Sequence, residues 1–342
     1  MSNNPILVEV MRGGVLESFH RGVICVVDKD GNIIYSVGDV QQMCYPRSAL
    51  KFFQHIPLIE SGAFEHFGFT MEELAIMCGS HNGEQEHVRV ATQILEKIGL
   101  TKEDLLCGAQ APTLSVDRRR LTAEGKKPEK IHNNCSGKHA GFLAMAKYLN
   151  SDIATYTDPN HPLQQQILQV AADFHEYPKE QMTIGIDGCS APIFAIPVYN
   201  QAVAYKNLVH PVNFSEKRQK ACAMIIEAIT TYPFMVAGSE RYCTDMMKIC
   251  GKRIIGKTGA EGIYSLGFLE EKMGCSIKID DGKMLPQYNV AEKVIEQTGI
   301  FSSSELAPLA HYKQEDIKNY AQIVTGEIRV SDRILTEPLW KA

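Results

Sequence analysis

Residues 22–35 have the sequence Gly22-Val-Ile-Cys-Val-Val-Asp-Lys-Asp-Gly-Asn-Ile-Ile-Tyr35. Two β-branched runs flank the turn-forming residues Asp30-Gly31-Asn32, which is typical of a β-hairpin. Towards the other end of the chain, Ile263–Phe268 followed by Cys275–Ile279 predicts a second hairpin. Strands at both ends of a chain are commonly assembled into one sheet.

The middle of the chain is dominated by helical patterns. In residues 85–98 the apolar side chains recur every three to four positions, and Thr70 with Glu73 matches a capping box. Residues 117–130 are expected to form an exposed loop, and Met182–Asp187 a short strand. The predicted helices are Pro46–Phe53, Thr70–Met77, 85–98, Lys138–Leu149, Pro162–Phe174 and Ala221–Thr230. The fold class is therefore α+β, with an antiparallel-rich sheet beside a helical region, in a single domain spanning 1–342.

Composition excludes several classes of protein. Of 342 residues, 44% are hydrophobic and 22% charged, which is ordinary for a globular protein. The net charge of −5 argues against a nucleic-acid partner, and Arg118–Arg120 is expected to be a solvated loop. No stretch approaches the ~20 apolar residues of a membrane helix, so no membrane partner is expected. Ten cysteines without a secretion signal indicate reduced thiols and a cytoplasmic protein.

Ser48 and Lys51 form a Ser-x-x-Lys pair near the start of a predicted helix. At this spacing the two side chains lie on one helix face and can touch. A serine hydroxyl is a weak nucleophile until a base takes its proton, and a lysine can do so when burial or a nearby cation favours the neutral amine. The spacing alone is a weak signal, because a surface serine and lysine would give the same pattern.

A polar cluster, Cys78-Gly-Ser80-His-Asn82-Gly-Glu84, lies between two predicted helices. Loops at helix starts often hold substrate groups. The alternative is a turn at Asn82-Gly83, with Ser80 as the cap of the next helix. The residues leave both interpretations open.

Two further segments carry thiols. In His132-Asn-Asn-Cys135-Ser-Gly-Lys-His139-Ala-Gly141, a cysteine and a histidine lie four residues apart and could share a metal ion on a helix. The alternative, a capped helix start, leaves more reactive groups unexplained. Asp187-Gly-Cys189 follows a short apolar strand; alone it would be a buried structural cysteine, but with Cys135 it could form a two-thiolate anchor.

The glycine-rich segment Gly256–Gly262 contains Lys257. It lacks the spacing of a phosphate-binding loop, so nucleotide binding is not supported. Lys257 could instead lie beside a nucleophile as a second cation or a proton shuttle. Arg241 could bind a substrate carboxylate, but pairing with a neighbouring side chain is the interpretation that we favour.

Together these segments resemble one family, the inducible rhizobial-type L-asparaginases (asparaginase II). The resemblance runs in family order from about Val8 to Arg333, and Asn133–Gly141 is its most specific part. The matching stretches are Val8-Glu-Val, Arg12-Gly, Glu17-Ser, His20-Arg-Gly, Arg47-Ser-Ala-Leu-Lys51, Ser61-Gly-Ala, Ser80-His-Asn-Gly-Glu84, Asn133-Asn-Cys-Ser-Gly-Lys-His-Ala-Gly141, Asp187-Gly-Cys189 and Lys257-Thr-Gly-Ala-Glu-Gly262.

The resemblance implies a fold like that of serine β-lactamases and serine-lysine glutaminases. It implies hydrolysis of L-asparagine, a small molecule, to L-aspartate and ammonia, and we expect a homodimer. Ser48 would be the nucleophile, assisted by Lys51, while Ser80 and Lys257 would form a second serine-lysine pair. Backbone N–H groups near Ser48 or Ser80 are candidates for an oxyanion hole. The expected substrate-binding residues are Arg47, Asn82, His139 and Asp187.

The resemblance also implies one zinc ion per chain, held by Cys135, Lys138 and Cys189, with Asp187 close by through water. Donor chemistry alone would choose His139 in place of Lys138, because lysine is rarely a zinc ligand. We follow the family here. The chain departs from the family at Phe52-Phe53, where members carry Pro-Phe, and at Ser190-Ala-Pro192, where many carry Gly-Val-Pro. The second departure could change substrate preference.

Other functions use the same residues. A glutaminase, a penicillin-recognising enzyme or an esterase would share the nucleophile, and Lys257-Thr-Gly259 matches the K-[ST]-G element of penicillin-recognising enzymes. A third possibility is a non-catalytic regulator that binds an amino acid or zinc. Loss of activity in Ser48→Ala would distinguish an enzyme from a regulator.

Overall fold

The computed structural model describes residues 3–339. The chain divides into two compact units, each built from segments that are distant in sequence. The sheet unit comprises the residues up to Ala49, Ile196–His210 and the residues from Ile249 onward. The helical unit comprises Leu50–Ala195 and Pro211–Lys248. The single-domain assignment made from the sequence stays a prediction.

The strands among residues 3–339 are β1 (Ile6–Arg12), β2 (Val15–Val27), β3 (Ile33–Val37), β4 (Met43–Cys44), β5 (Ile184–Ile186), β6 (Pro192–Phe194), β7 (Ile196–Pro197), β8 (Ile254–Gly259), β9 (Ile263–Phe268), β10 (Met273–Ile279), β11 (Glu315–Lys318) and β12 (Val324–Val330).

The α-helices in the same part of the chain are α1 (Lys51–Gln54), α2 (Ile56–Ser61), α3 (Ala63–His66), α4 (Met71–Met77), α5 (Gln85–Lys97), α6 (Ser115–Ala123), α7 (Ser136–Tyr148), α8 (Pro162–His175), α9 (Val198–Val209), α10 (Glu216–Thr231), α11 (Pro233–Val236), α12 (Tyr242–Cys250), α13 (Met284–Thr298), α14 (Ser303–Leu306) and α15 (Ala310–Lys313). Short 3₁₀ turns lie between several of them.

The sheet unit contains an eight-stranded sheet in the order β11-β12-β1-β2-β10-β9-β8, with β3 also paired to β2. Its strand pairs are antiparallel. The central strand β2 is 13 residues long, and its β-branched run lies in the buried second half, where it suits a pleated surface. Both predicted hairpins are confirmed: β2 pairs with β3, and β9 pairs with β10. The sheet joins strands from both ends of the chain, as the sequence predicted.

One face of this sheet is covered by α9. Inward-facing Val23, Cys25 and Val27 of β2 pack with Ala202 and Val203 of that helix in a fully buried core. Alternate side chains of a strand point to the same face of the sheet. Val23, Cys25 and Val27 are alternate residues of β2, so all three face α9. The helix α13 contacts β9 and β10 of the same sheet.

The helical unit follows the predicted patterns closely. The Thr70–Glu73 capping box is present at the start of α4, where Thr70 accepts from the Glu73 N–H and Glu73 accepts from the Thr70 N–H. Of the apolar stripe predicted at 88, 91, 94, 95 and 98, the last four residues are buried and Val88 is half-buried.

One local prediction is wrong, and a second is confirmed in a different setting. Residues 117–130 are not a loop throughout, because α6 occupies Ser115–Ala123 and contains Arg118–Arg120. Buried Leu121 fixes this helix to the protein, and Arg120 pairs with Asp117 and Glu124 at helical spacing. The short strand is confirmed as β5, but it is paired with β6 in a separate two-stranded sheet.

All ten cysteines lie within the described residues and are buried, and none of them is paired in a disulfide bond. Within residues 3–339, none of the helices is long and apolar enough to cross a membrane.

Candidate active site

The helix α7 carries the most specific motif and is buried on every side along Ser136–Ala146. Two glycines permit this burial. A Cβ on Gly137 would lie 2.7 Å from the Ile76 carbonyl oxygen, and a Cβ on Gly141 would lie 2.7 Å from His55 Nε2. The close approach brings the first turn of α7, with its polar side chains, into the interior of the helical unit.

Lys51 is the central cation of this interior. Its side chain is buried, with 1% of its surface exposed. Its Nζ donates to the Gly79 carbonyl oxygen at 2.6 Å, to Ser80 Oγ at 2.8 Å and to Cys135 Sγ at 3.1 Å. The lysine of one sequence motif therefore contacts the serine of a second and the cysteine of a third.

Cys135 and Cys189 form a coupled pair of thiols. A hydrogen bond with Cys189, together with the nearby side chains of Lys51 and Lys138, holds the pKa of Cys135 well below its usual range. The same hydrogen bond and burial raise the pKa of Cys189.

Lys138 lies against the second sulfur. Its Nζ is 2.9 Å from Cys189 Sγ, and its side chain is 2% exposed. Burial acts to lower the pKa of Lys138, but the sulfurs of Cys189 and Cys135 outweigh burial and raise it. Asp187 is half-buried, and its Oδ2 lies 3.6 Å from Cys189 Sγ. The two lysines thus each contact one sulfur.

His139 follows Lys138 on α7 and is fully buried. Its Nδ1 is 2.7 Å from Tyr156 Oη. Burial lowers the pKa of His139 to about 4, so the ring is neutral near pH 7. The role of His139 in substrate binding stays a prediction.

The segment from Ser80 to Glu84 is held by the loop that precedes α12. Asn82 donates to Glu84 Oε1 and to the Ser239 carbonyl oxygen, and it accepts from Arg241 at 2.9 Å. Arg241 thus pairs with a neighbouring side chain, the interpretation that the sequence favoured. Glu84, not Ser80, is the N-cap of α5.

The backbone N–H groups of Gly79, Ser80 and His81 are already used. Ser80 N–H donates to the Val236 carbonyl oxygen at 2.8 Å, and His81 N–H donates to that of Asn134 at 3.1 Å. Gly79 N–H donates to Ile76. The expectation of an oxyanion hole near Ser80 is therefore wrong for these donors, because each one is satisfied within the protein.

The sheet unit holds the remaining predicted residues. Ser48 is half-buried in a 3₁₀ turn, Arg47–Leu50, that directly precedes α1. Arg47 has a φ of 52°, the left-handed region that non-glycine residues rarely adopt, and its guanidinium lies 4.0 Å from Glu261. Tyr205 of α9 donates to the Ala49 carbonyl oxygen at 2.9 Å and so anchors the turn.

The edge strand β8 passes beside that turn. A Cβ on Gly259 would lie 2.3 Å from the Pro46 carbonyl oxygen, so a side chain at this position would displace one of the two segments. Lys257 is buried on the same strand, with its Nζ 3.1 Å from the Thr258 carbonyl oxygen. Thr258 Oγ1 donates to Tyr288 Oη at 3.2 Å. The Lys257-Thr-Gly259 element therefore lies on a strand at the sheet edge, as a K-[ST]-G element should.

Comparison with known families agrees with this assembly of motifs. The family model described as L-asparaginase II matches residues 8–330. The chain belongs to the L-asparaginase II family. The resemblance inferred from the sequence motifs is thereby confirmed. No individual curated protein matches the chain.

Solved structures similar to this L-asparaginase II family member include two β-lactamases. One, from Mycobacterium bovis, is 12% identical over 85% of this chain and 95% of its own, with a TM-score of 0.41. The other is a mutant class C β-lactamase, 13% identical over 78% of this chain and 89% of its own, with a TM-score of 0.42.

The family implies a zinc ion, and the side chains present can be compared with the ligands that zinc accepts. Within residues 3–339, no cluster of three or more His, Cys, Asp or Glu side chains is arranged to hold a metal ion. The predicted set contains only two such residues, because its third member is Lys138. The sulfurs of Cys135 and Cys189, with an amine 2.9 Å from the second, are donors of the kind that zinc accepts. The residues present therefore fit the family's ligand set.

Sequence reasoning missed Tyr156 and the carbonyl of Gly79. Tyr156 lies in an irregular segment after α7, and no local spacing links it to His139. The one available signal was chemical, because a fully buried tyrosine hydroxyl needs a polar partner.

Proposed function

We propose that this member of the L-asparaginase II family hydrolyses the side-chain amide of L-asparagine to L-aspartate and ammonia, through a serine nucleophile assisted by Lys51. One observation carries the proposal: Lys51 Nζ lies 2.8 Å from Ser80 Oγ in a buried site. A buried amine beside a hydroxyl is the arrangement that proton transfer from serine requires.

Ser48 is the better candidate for the acylated serine. The backbone N–H groups of Gly79, Ser80 and His81 are occupied, which leaves fewer donors to stabilise an oxyanion beside Ser80. Ser48 follows Arg47, whose left-handed backbone is the kind of strained conformation that clusters at functional sites. In this proposal Ser80 relays or holds the proton that Lys51 receives.

The reaction proceeds in two steps. Ser48 Oγ forms a bond to the carboxamide carbon as its proton passes to the amine of Lys51. The C–N bond then breaks, and the leaving nitrogen takes a proton to depart as ammonia. Water next attacks the ester, giving a proton to the same base, and the C–Oγ bond breaks to release L-aspartate and restore the serine hydroxyl.

Cys135, Lys138 and Cys189 would hold the zinc ion. Binding requires both thiols and the lysine amine to be deprotonated, so it releases protons. When bound, zinc supplies a Lewis acid that can polarise a substrate oxygen.

The contacts of the predicted substrate-binding residues suggest different roles for Asn82 and Arg47. Asn82 has its amide engaged by Glu84, Ser239 and Arg241, so we infer that it shapes the loop instead of binding substrate. Arg47 is half-buried with a charged guanidinium, and it is the candidate to bind the α-carboxylate of the amino acid.

The test is ammonia release from L-asparagine and from L-glutamine, each with and without a zinc chelator. We expect L-asparagine to be hydrolysed, and chelation to decrease the rate. No release from L-asparagine would contradict the proposal.

The position of Lys257-Thr-Gly259 on an edge strand favours a second candidate, a penicillin-recognising enzyme. A chromogenic β-lactam in the same assay tests it. Turnover of the β-lactam without turnover of L-asparagine would select this candidate over the amidohydrolase.

A further inference from the structure

A cavity in the helical unit lies apart from the candidate active site. It is lined by residues of α5, α6 and the 3₁₀ turn Lys130–His132, and none of the catalytic or metal-binding candidates lines it. Its volume is about 610 Å³, which is typical of a site for a small molecule. The side chains around this cavity indicate what kind of molecule it can hold.

His132 supplies a hydrogen-bond donor to the cavity. The residue is 8% exposed, and its Nδ1 accepts the Glu129 N–H at 3.1 Å. Because Nδ1 accepts, the ring proton is on Nε2. Within residues 3–339, this Nε2 makes no hydrogen bond, and it is not sealed from solvent. A largely buried ring thus directs an unpaired N–H donor into the cavity that it lines.

The lysines and arginines around the cavity leave one positive charge without a partner. Four of the five that line it contact carboxylates, namely Arg89, Lys102, Arg120 and Lys126. The fifth, Lys127, is exposed and forms no ion pair with any residue that the structure describes. A ligand with one negative charge would therefore complete the pairing.

Three apolar side chains also line the cavity. Leu121 of α6 and Ile131 are each 4% exposed, and Val88 of α5 is half-buried. Such walls favour an apolar ligand surface, because contact with them removes that surface from water. The cavity therefore suits a molecule that combines one anionic group with an apolar group.

We propose that this cavity binds a small organic carboxylate with an apolar body. The carboxylate accepts from His132 Nε2–H and pairs with the Lys127 ammonium, while the apolar body lies against Leu121 and Ile131. A carboxylate suits the site better than a phosphate dianion, because the arginines that line it are already paired and one cation remains. The site shares no residue with the proposed catalytic machinery, so failure to hydrolyse L-asparagine would leave this inference unaffected.

Three related compounds test the ligand class by isothermal titration calorimetry of the full-length protein. Phenylacetate has both features, phenylacetamide lacks the charge, and acetate lacks the apolar body. We expect saturable one-to-one binding of phenylacetate, with an affinity at least ~10-fold higher than that of either other compound. Absence of saturable binding, or equal affinity for phenylacetamide or acetate, would overturn the proposal.

Substitution of a lysine locates the bound carboxylate. Lys127→Ala, at an exposed position, should weaken phenylacetate binding about 5- to 10-fold, because it removes the unpaired cation. Lys217→Ala is the matched control, since it removes an exposed lysine of α10, and it should leave the affinity unchanged. An affinity of Lys127→Ala equal to that of the unmodified protein would contradict the proposed site.

Two variants at His132 separate its donor from its contact with the backbone. Glutamine and glutamate can both accept the Glu129 N–H from this position, but only glutamine then presents an N–H to the cavity. We expect phenylacetate affinity to stay within about threefold of the parent in His132→Gln and to fall at least ~10-fold in His132→Glu, whose carboxylate also repels the ligand. Equal affinities of these two variants would overturn the proposal.

Discussion

Lys51 Nζ lies 2.8 Å from Ser80 Oγ, which joins two motifs that the sequence had assigned to different serine-lysine pairs. The lysine also donates to the Gly79 carbonyl oxygen and to Cys135 Sγ. These three acceptors fix the position of the buried Lys51 amine. Its position therefore does not depend on which serine is the nucleophile. Changes at either serine should accordingly affect chemistry more than folding.

The first prediction separates the roles of the two serines. Ser48→Ala should decrease kcat for ammonia release by at least ~10³-fold, because it removes the nucleophile. Ser80→Ala should decrease kcat by ~10²- to 10³-fold, because it removes only a group that handles the proton. Ser61→Ala is the control, since Ser61 Oγ contacts the Leu58 carbonyl oxygen and is not part of the site. Steady-state assays give the rates; Ser48→Ala activity within tenfold of the parent would exclude Ser48 as nucleophile.

The second prediction concerns metal content. The Cys135→Ser/Cys189→Ser double variant should lose the zinc ion, because hydroxyls replace two soft sulfur donors. Cys222→Ser is a matched control, since Cys222 is a buried thiol of α10. Elemental analysis after purification in zinc-containing buffer measures the metal. Zinc retained in full by the double variant would show that the ion binds elsewhere.

The third prediction tests how the Ser80–Glu84 segment is held. Gly238 has a φ of 107°, and a Cβ there would lie 2.5 Å from Glu84 Oε1 and 2.7 Å from Asn82 Nδ2. Gly238→Ala should therefore lower the free energy of unfolding by ~2 kcal/mol or more. Gly125→Ala is the control. Gly125 also has a positive φ, but no atom lies within 4 Å of the new Cβ, so this variant measures the cost of the backbone conformation without a steric clash. Denaturant unfolding of both should give a clearly larger loss for Gly238→Ala.

The fourth prediction concerns acid stability. His81 and His87 are stacked, with centroids 4.8 Å apart, and burial is the main cause that lowers the pKa of each. Both are neutral in the folded protein and have an ordinary pKa of ~6.5 when unfolded. Their contribution to stability is complete above that value and is lost as the pH falls below it towards the folded-state pKa.

Removing one of these histidines should flatten the dependence on pH. We expect the unfolding free energy of His87→Gln to fall less steeply between pH 6.5 and 5, by up to ~1.4 kcal/mol per pH unit. Glu84 opposes the shift at His87 and Arg241 adds to it. His66→Gln, at an exposed histidine, should keep the slope of the parent. A slope unchanged by His87→Gln would contradict this account of the pair.

The sequence was most informative where a signal is local. The turn at Asp30-Gly31-Asn32, the Thr70–Glu73 cap and the stripe of α5 each depend on residues within one or two turns of each other, and each prediction is confirmed. The loop assigned to 117–130 failed because its charges suggested solvent, whereas the ion pairs of Arg120 lie along a helix.

The sequence predicted which residues belong to the candidate site, but not which of them contact each other. Cys135 and Cys189 were expected together, and Lys51 and Lys138 each contact one of their sulfurs. That Lys51 contacts Ser80 depends on how α1 and α4 approach α7, and no spacing along the chain encodes this. Tyr156 was missed for the same reason, because its contact with His139 joins a helix to an irregular segment.

The most direct test of the central claim is ammonia release from L-asparagine by the unmodified protein beside Lys51→Arg. Arginine keeps the positive charge and much of the length but cannot give up a proton near neutral pH. If Lys51 is the base, the unmodified protein should release one ammonia per L-aspartate formed, and Lys51→Arg should be at least ~10³-fold slower while still folded by circular dichroism. Activity of folded Lys51→Arg within tenfold of the unmodified protein, or no ammonia from the unmodified protein, would contradict the account.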